Sequence, residues 1–144
     1  MSSFVQKYNI QKGDVVITPK SIFGMAQHYV VYEGYNSWGQ EIWYDNNNIV
    51  GVRAITTEQF IRENQNFTRI RRFIGNDYQR QFAIQRAQSK LGTKYDLANW
   101  NCEHFANYVQ FVQVKSNQSN LVKGLFVAAA SVAVIGIFGE ILGD

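Results

Sequence analysis

Cys102, His28 and His104 are the residues of this 144-residue chain whose types suit nucleophilic catalysis, and Cys102 is its sole cysteine. A thiol attacks only as thiolate, and its pKa falls at a helix N-terminus or beside a histidine. Asn101-Cys102 follows the loop GTKYDLANW directly, at a position where a helix is predicted to start. Local structure therefore supplies the first of those conditions. Packing alone accounts for the same placement. Cys102, Phe105, Val109 and Val112 recur at helical spacing on one core-facing side, and free cysteine is among the most buried residue types.

Two histidines compete for the role of base. His104 lies two residues from Cys102 on the same predicted helix, about 200° around its axis, so it should face away from the thiol as a structural residue. His28 opens the segment HYVVYE after a glycine-containing loop, where a strand can hold an imidazole rigidly against a helix packed on the sheet. Its distance from Cys102 in sequence is no objection, because such pairs meet in the fold. A third group usually orients the imidazole through its second nitrogen. Tyr44-Asp45-Asn46-Asn47 offers one, and strand alternation sends Asp45 and Asn46 to opposite faces, so that one of them is expected to face inward. Turn chemistry explains the same Asx-rich run equally well. One cysteine and two histidines without ligand spacing make a poor zinc set, so neither metal nor cofactor is expected.

The elements that must position these residues read as α+β. Gly13-Asp14 is a turn signal, and Val15-Val16-Ile17 forms a strand ended by Pro19. Residues 28–33, 41–45 and 49–54 read as further strands of an antiparallel meander, with the turn between the last two at Asn46-Asn47-Asn48. Thr56-Thr57-Glu58-Gln59 fits a capping box for a short helix through about residue 64, and residues 67–73 alternate as a half-buried strand. Ala83, Ala87 and Leu91 predict a helix from about Asp77 to Leu91, with Gly92 as its stop. The helix that carries Cys102 follows.

Bulk properties bound the function. The length allows one domain that folds without staples, and a single cysteine excludes an internal disulfide. A net charge of +3, from 14 basic and 11 acidic residues, falls short of a nucleic-acid-binding balance and is compatible with anionic lipid. The segment MSSFVQKYNIQKGD holds no apolar run suited to a signal peptide, so an intracellular location is expected. The chain divides into a domain over residues 1–115, a polar spacer SNQSN over 116–120, and an apolar tail over 121–142. Gly124 to Gly139 carries no charge and would cover roughly 24 Å as a helix, against a hydrocarbon core of about 30 Å. Lys123 and Glu140 near the ends can snorkel, so membrane association through this tail is expected, with a helix docked on the domain or in an oligomer as the other reading.

Asn101-Cys102-Glu103-His104-Phe105 resembles the NCEHF nucleophile motif of the lecithin:retinol acyltransferase-like proteins. The resemblance covers most of residues 13–112. Gly13-Asp14-Val15-Val16 is similar to that family's opening strand and His28-Tyr29-Val30-Val31-Tyr32 to its histidine motif. Gly51-Val52-Arg53, Leu91-Gly92 and Tyr95 fit its intervening pattern. It implies a circularly permuted relative of the papain-like cell-wall peptidases, with histidine ahead of cysteine in the chain. It also implies Cys102 as nucleophile and His28 as base, moving a fatty acyl group from phospholipid through an acyl-thioester. Many relatives carry a second histidine on the following strand, where this chain has WGQEIWYDNNN. The orienting role is therefore assigned to Asn46, with Asp45 as alternate. Amide hydrolysis of the peptidase kind, and an inactive membrane-tethered module, are the competing functions. Tyr29, Tyr32, Trp38, Trp43 and Trp100 are candidates for an acyl groove, although core packing accounts for most of them.

Overall fold

Runs of β-branched and aromatic residues bounded by glycine and asparagine build an antiparallel sheet with helices on both faces. The computed structural model describes residues 1–19, 27–64, 66–67 and 69–112; the spacer and the apolar tail lie outside them. Among the described residues no helix is long and apolar enough to cross a membrane. The elements are α1 (Ser3–Tyr8), β1 (Val15–Pro19), β2 (Gln27–Tyr35), β3 (Glu41–Asn47), β4 (Gly51–Thr56), α2 (Thr57–Glu63), β5 (Arg69–Arg71), α3 (Asp77–Ser89) and α4 (Cys102–Phe111). The strands lie in the order β4-β3-β2-β1-β5, all neighbours antiparallel. The α+β reading and the meander are therefore observed.

Alternation along the strands separates two cores. Val15, Ile17, Tyr29, Val31, Ile42, Tyr44 and Val52 face α3 and α4 and pack with Ala83, Ala87, Cys102, Phe105 and Val109. Val16, Val30, Tyr32, Trp43 and Ile55 face the other way, onto Val5 of α1 and Phe60 of α2. There Trp43 stacks on Phe60 at 4.1 Å between centroids and donates its indole N–H to Thr57 Oγ1 at 2.9 Å. Tyr29, Tyr32 and Trp43 are thus core residues, whereas Trp38 is 87% exposed and Trp100 packs against the α3/α4 core from its rim.

Several boundaries differ from the sequence reading. β3 continues through Asn46 and Asn47, so the turn to β4 falls on residues 48–50. Asn47 Oδ1 accepts from the N–H groups of Ile49 and Val50, so the asparagine that ends the strand also closes the turn. β5 keeps only three residues, and Val112 ends α4 as an αL cap instead of continuing its buried side. The short α1, absent from the sequence reading, starts at Ser2, whose hydroxyl accepts from Val5 N–H, and stops at Asn9 in the left-handed region.

Candidate functional site

Cys102 is the first residue of α4, and the peptide before it is held from several directions. Asn101 is the N-cap: its Oδ1 accepts from the N–H groups of Glu103 at 2.9 Å and His104 at 3.0 Å. In return Asn101 N–H donates to His104 Nδ1 at 2.9 Å. This is a capping box with histidine in the place usually held by Glu or Gln. The role of His104 in the structure is therefore to complete the cap, its Nδ1 accepting from the backbone.

The thiol is 5% exposed and donates to the Gln27 carbonyl at 3.2 Å, which sets the sulfur at the first residue of β2, beside His28 in the chain. The sulfur thus sits at the N-terminus of α4, where the N–H dipoles of the helix point. The Tyr95 phenol lies close enough to feel the sulfur. Burial first, then the charges of Cys102 and Asp96, push it up to about 12, so it stays a protonated donor at neutral pH.

His28 is buried and its Nε2 lies 2.8 Å from Asp45 Oδ2. Asp45 is itself clamped by Arg53, with Nε to Oδ1 at 2.8 Å and Nη2 to Oδ2 at 3.1 Å. Arg53 reaches on to Glu63 of α2 at 2.6 Å. Burial alone would raise the Asp45 carboxyl, but hydrogen bonds and charge from His28 and Arg53 outweigh it and hold the group below the usual carboxylate range. A carboxylate at Oδ2 selects the tautomer with the proton on Nε2, which leaves Nδ1 as the basic nitrogen.

The orienting role assigned to Asn46 is corrected by this geometry. Asp45 holds the imidazole, while Asn46 points to the opposite face and donates Nδ2 to the Trp100 carbonyl at 2.8 Å. The expectation that only one of the two faces inward also fails, because helices cover both faces and both side chains are buried. Register explains the choice. Asp45 pairs with Val30 on one side and Arg53 on the other, so His28, Asp45 and Arg53 share the α1/α2 face.

Cys102 belongs to the α3/α4 face, and the two sides meet at the end of β2. Pairing between β2 and β3 stops at Val30↔Asp45, so residues 27–29 keep β1 as their sheet neighbour and have none in β3. The margin left there is where the Gln27 carbonyl takes the thiol. Arg53, which sequence reasoning quoted without a role, is the residue that makes Asp45 a fixed anion. Its signal was its place opposite Asp45 across a short turn. Among the described residues no group of three or more His, Cys, Asp or Glu could hold a metal ion.

The depressed Asp45 carboxyl links stability to pH. A group whose folded pKa lies below its unfolded value stabilises above the unfolded pKa and loses that contribution as pH falls through the folded one. In urea titrations the stability gap between the parent protein and Asp45→Asn should hold steady above about pH 5 and narrow below about pH 4, near the ordinary aspartate pKa. A gap that widens on acidification would contradict the assignment.

Comparison with family models, with curated proteins and with solved structures returned no match to this chain.

Proposed function

We propose that this chain is a cysteine-dependent acyltransferase or phospholipase A-type enzyme of the lecithin:retinol acyltransferase-like kind. One observation carries the reading: an imidazole held by Asp45, itself clamped by Arg53, directly follows in the strand the Gln27 carbonyl that takes the thiol at a helix N-terminus. The order of histidine before cysteine, with an antiparallel sheet behind both, supports a permuted papain-like architecture.

In the proposed reaction the thiol proton passes from its bond with the Gln27 carbonyl to Nδ1 of His28. The thiolate attacks the ester carbonyl of a phospholipid, and the tetrahedral oxyanion takes hydrogen bonds from backbone N–H groups at the start of α4. The C–O bond breaks, the leaving alkoxide takes the proton from His28, and the acyl group stays on sulfur as a thioester. An acceptor hydroxyl, amine or water then gives its proton to His28 and attacks the thioester carbonyl; the C–S bond breaks and the sulfur takes the proton back from His28, which returns the thiol. Asp45 holds the charge of the imidazolium at each transfer and is not itself protonated. Association with the membrane through residues 121–142 would bring the site to its substrate.

The test is the intact mass of the full chain after incubation with phosphatidylcholine vesicles, beside Cys102→Ala and His28→Ala. A hydroxylamine-sensitive fatty-acyl adduct is expected on the parent chain and should be missing from Cys102→Ala. Sedimentation of the same mixtures is expected to carry the full chain down with the vesicles and to leave a 1–118 truncation in solution. No adduct, with no fatty acid and no lysolipid released, would reject the acyl-transfer reading in favour of amide hydrolysis or an inactive module.

A further inference from the structure

We propose that Asn46 is a positioning residue for the nucleophile, acting through the Trp100–Asn101 peptide that precedes Cys102. The inference rests on the reading of Cys102 as nucleophile. It starts from a side chain that the imidazole does not use. Asn46 is 1% exposed on the α3/α4 face, and its Nδ2 donates to the Trp100 carbonyl at 2.8 Å. That carbonyl also accepts from Asp96 N–H at 2.9 Å, and the N–H of the same peptide donates to His104 Nδ1. One peptide plane is therefore held on both its polar groups, by the sheet, by the loop and by α4.

A fixed peptide at this point sets the N-cap and the first residue of the helix, and so the direction in which the sulfur leaves it. Removing one of the three holds lets the plane rotate. An attacking atom displaced by about 1 Å loses on the order of a hundredfold in rate. Stability alone does not explain an asparagine here. Its Oδ1 is buried without a hydrogen-bond partner among the described residues, a cost that an apolar residue of similar size would avoid. The donated hydrogen bond is what distinguishes the amide from such a residue.

The other end of the same loop is held to the same sheet edge. Val52 N–H donates to the Thr93 carbonyl and Gly92 N–H to the Val52 carbonyl, both at 2.9 Å. Gly51 allows that approach: its φ is +83°, and a Cβ there would lie 2.1 Å from the Thr93 carbonyl oxygen. Trp100 Nε1 closes the loop on itself by donating to Thr93 Oγ1 at 3.0 Å. The loop that ends at the nucleophile thus hangs between β4 at Thr93 and β3 at Trp100. Asn46 is the side-chain half of that suspension.

The experiment compares Asn46→Asp with the parent chain by two readouts, the pH dependence of Cys102 alkylation by iodoacetamide and steady-state acyl release from phosphatidylcholine vesicles. Asp keeps the shape of Asn and sets a carboxylate against the Trp100 carbonyl. The expected result is an alkylation midpoint moved up toward that of an ordinary thiol and a kcat lower by about 10- to 100-fold with KM little changed. Thr57→Val, which removes the buried hydroxyl between Trp43 and Glu41 on the other face, is the control that lowers stability and leaves both readouts alone. If Asn46→Asp does not fold, Asn46→Ser replaces it, because a serine hydroxyl is too short to reach the carbonyl. Parental alkylation and kcat in a folded Asn46 variant, or loss of fold in both, would overturn the positioning role. An ordinary thiol together with no acyl release in the parent chain would instead overturn the nucleophile reading beneath it.

Discussion

Asp45→Asn is expected to lower kcat by about 10³- to 10⁴-fold with little change in KM, the scale of loss when a triad carboxylate becomes an amide. The direction follows from competition for the two oxygens. In the parent chain both accept, Oδ2 from His28 and both from Arg53. An asparagine offers one acceptor and one donor. Arg53 donates only, so the oxygen turns toward the guanidinium and the NH₂ group toward His28. Nε2 must then accept and the ring proton moves to Nδ1, the nitrogen that the proposed reaction requires as acceptor of the thiol proton. Turnover against pH, with circular dichroism to confirm the fold, checks this. Rates within tenfold of the parent would exclude Asp45 from the reaction.

Asp14→Ala should cost about 3–5 kcal/mol of stability, the range for removing one partner of a buried ion pair. Asp14 is fully buried and joins three parts of the chain. Oδ1 accepts from Phe73 N–H at 2.8 Å and Arg80 Nη1 at 3.0 Å, while Oδ2 accepts from Gln11 N–H at 2.9 Å and Arg72 Nη1 at 3.1 Å. The carboxylate thereby fixes the segment after β5 and the first turns of α3 against the entry to β1. Alanine would leave the Phe73 N–H and the Arg80 guanidinium, its side chain 13% exposed, without that acceptor. Urea unfolding measures the loss. A change below about 1 kcal/mol, ordinary for an exposed pair, would mean that water replaces the carboxylate.

The sequence carried the strands and helices well where pattern and punctuation agreed. Val15-Val16-Ile17, the HYVVYE run and the helix from Asp77 are each specified by a short window, although that helix ends at Ser89 and Leu91, expected on its buried side, is exposed. It singled out Cys102 and His28 as candidates through their motifs. It did not carry the partner of the imidazole, because period-two alternation fixes only that Asp45 and Asn46 diverge. Which face the histidine takes depends on the β2–β3 register, which is a long-range property. The assumption of one buried face compounded the error, since two helical layers bury both. α1 escaped for a similar reason. Its six residues give no periodicity, and Phe4 finds its partners in Phe60 and Phe67, far along the chain. Residues 67–73 alternate over the length of a full strand, but β1 is engaged by only Arg69 to Arg71.

The hydrogen bonds that suspend the cysteine loop have a second consequence, for the chain among its own copies. A sheet with a bare outer strand invites another chain to pair there, and proteins suppress this by covering or charging the margin. The outer edge of β4 is already occupied by Gly92 and Thr93 at Val52, so a would-be strand meets a loop in its path. The opposite margin, β5, is three residues long, and Arg69, Arg71 and Arg72 lie within or next to it. Two copies brought edge to edge on that side would gain only a short ladder, and Arg71 and Arg72 are already turned to Asn107, Gln110 and Asp14 of their own chain. The loop that leads to Cys102 therefore also covers the β4 edge of the sheet against strand addition.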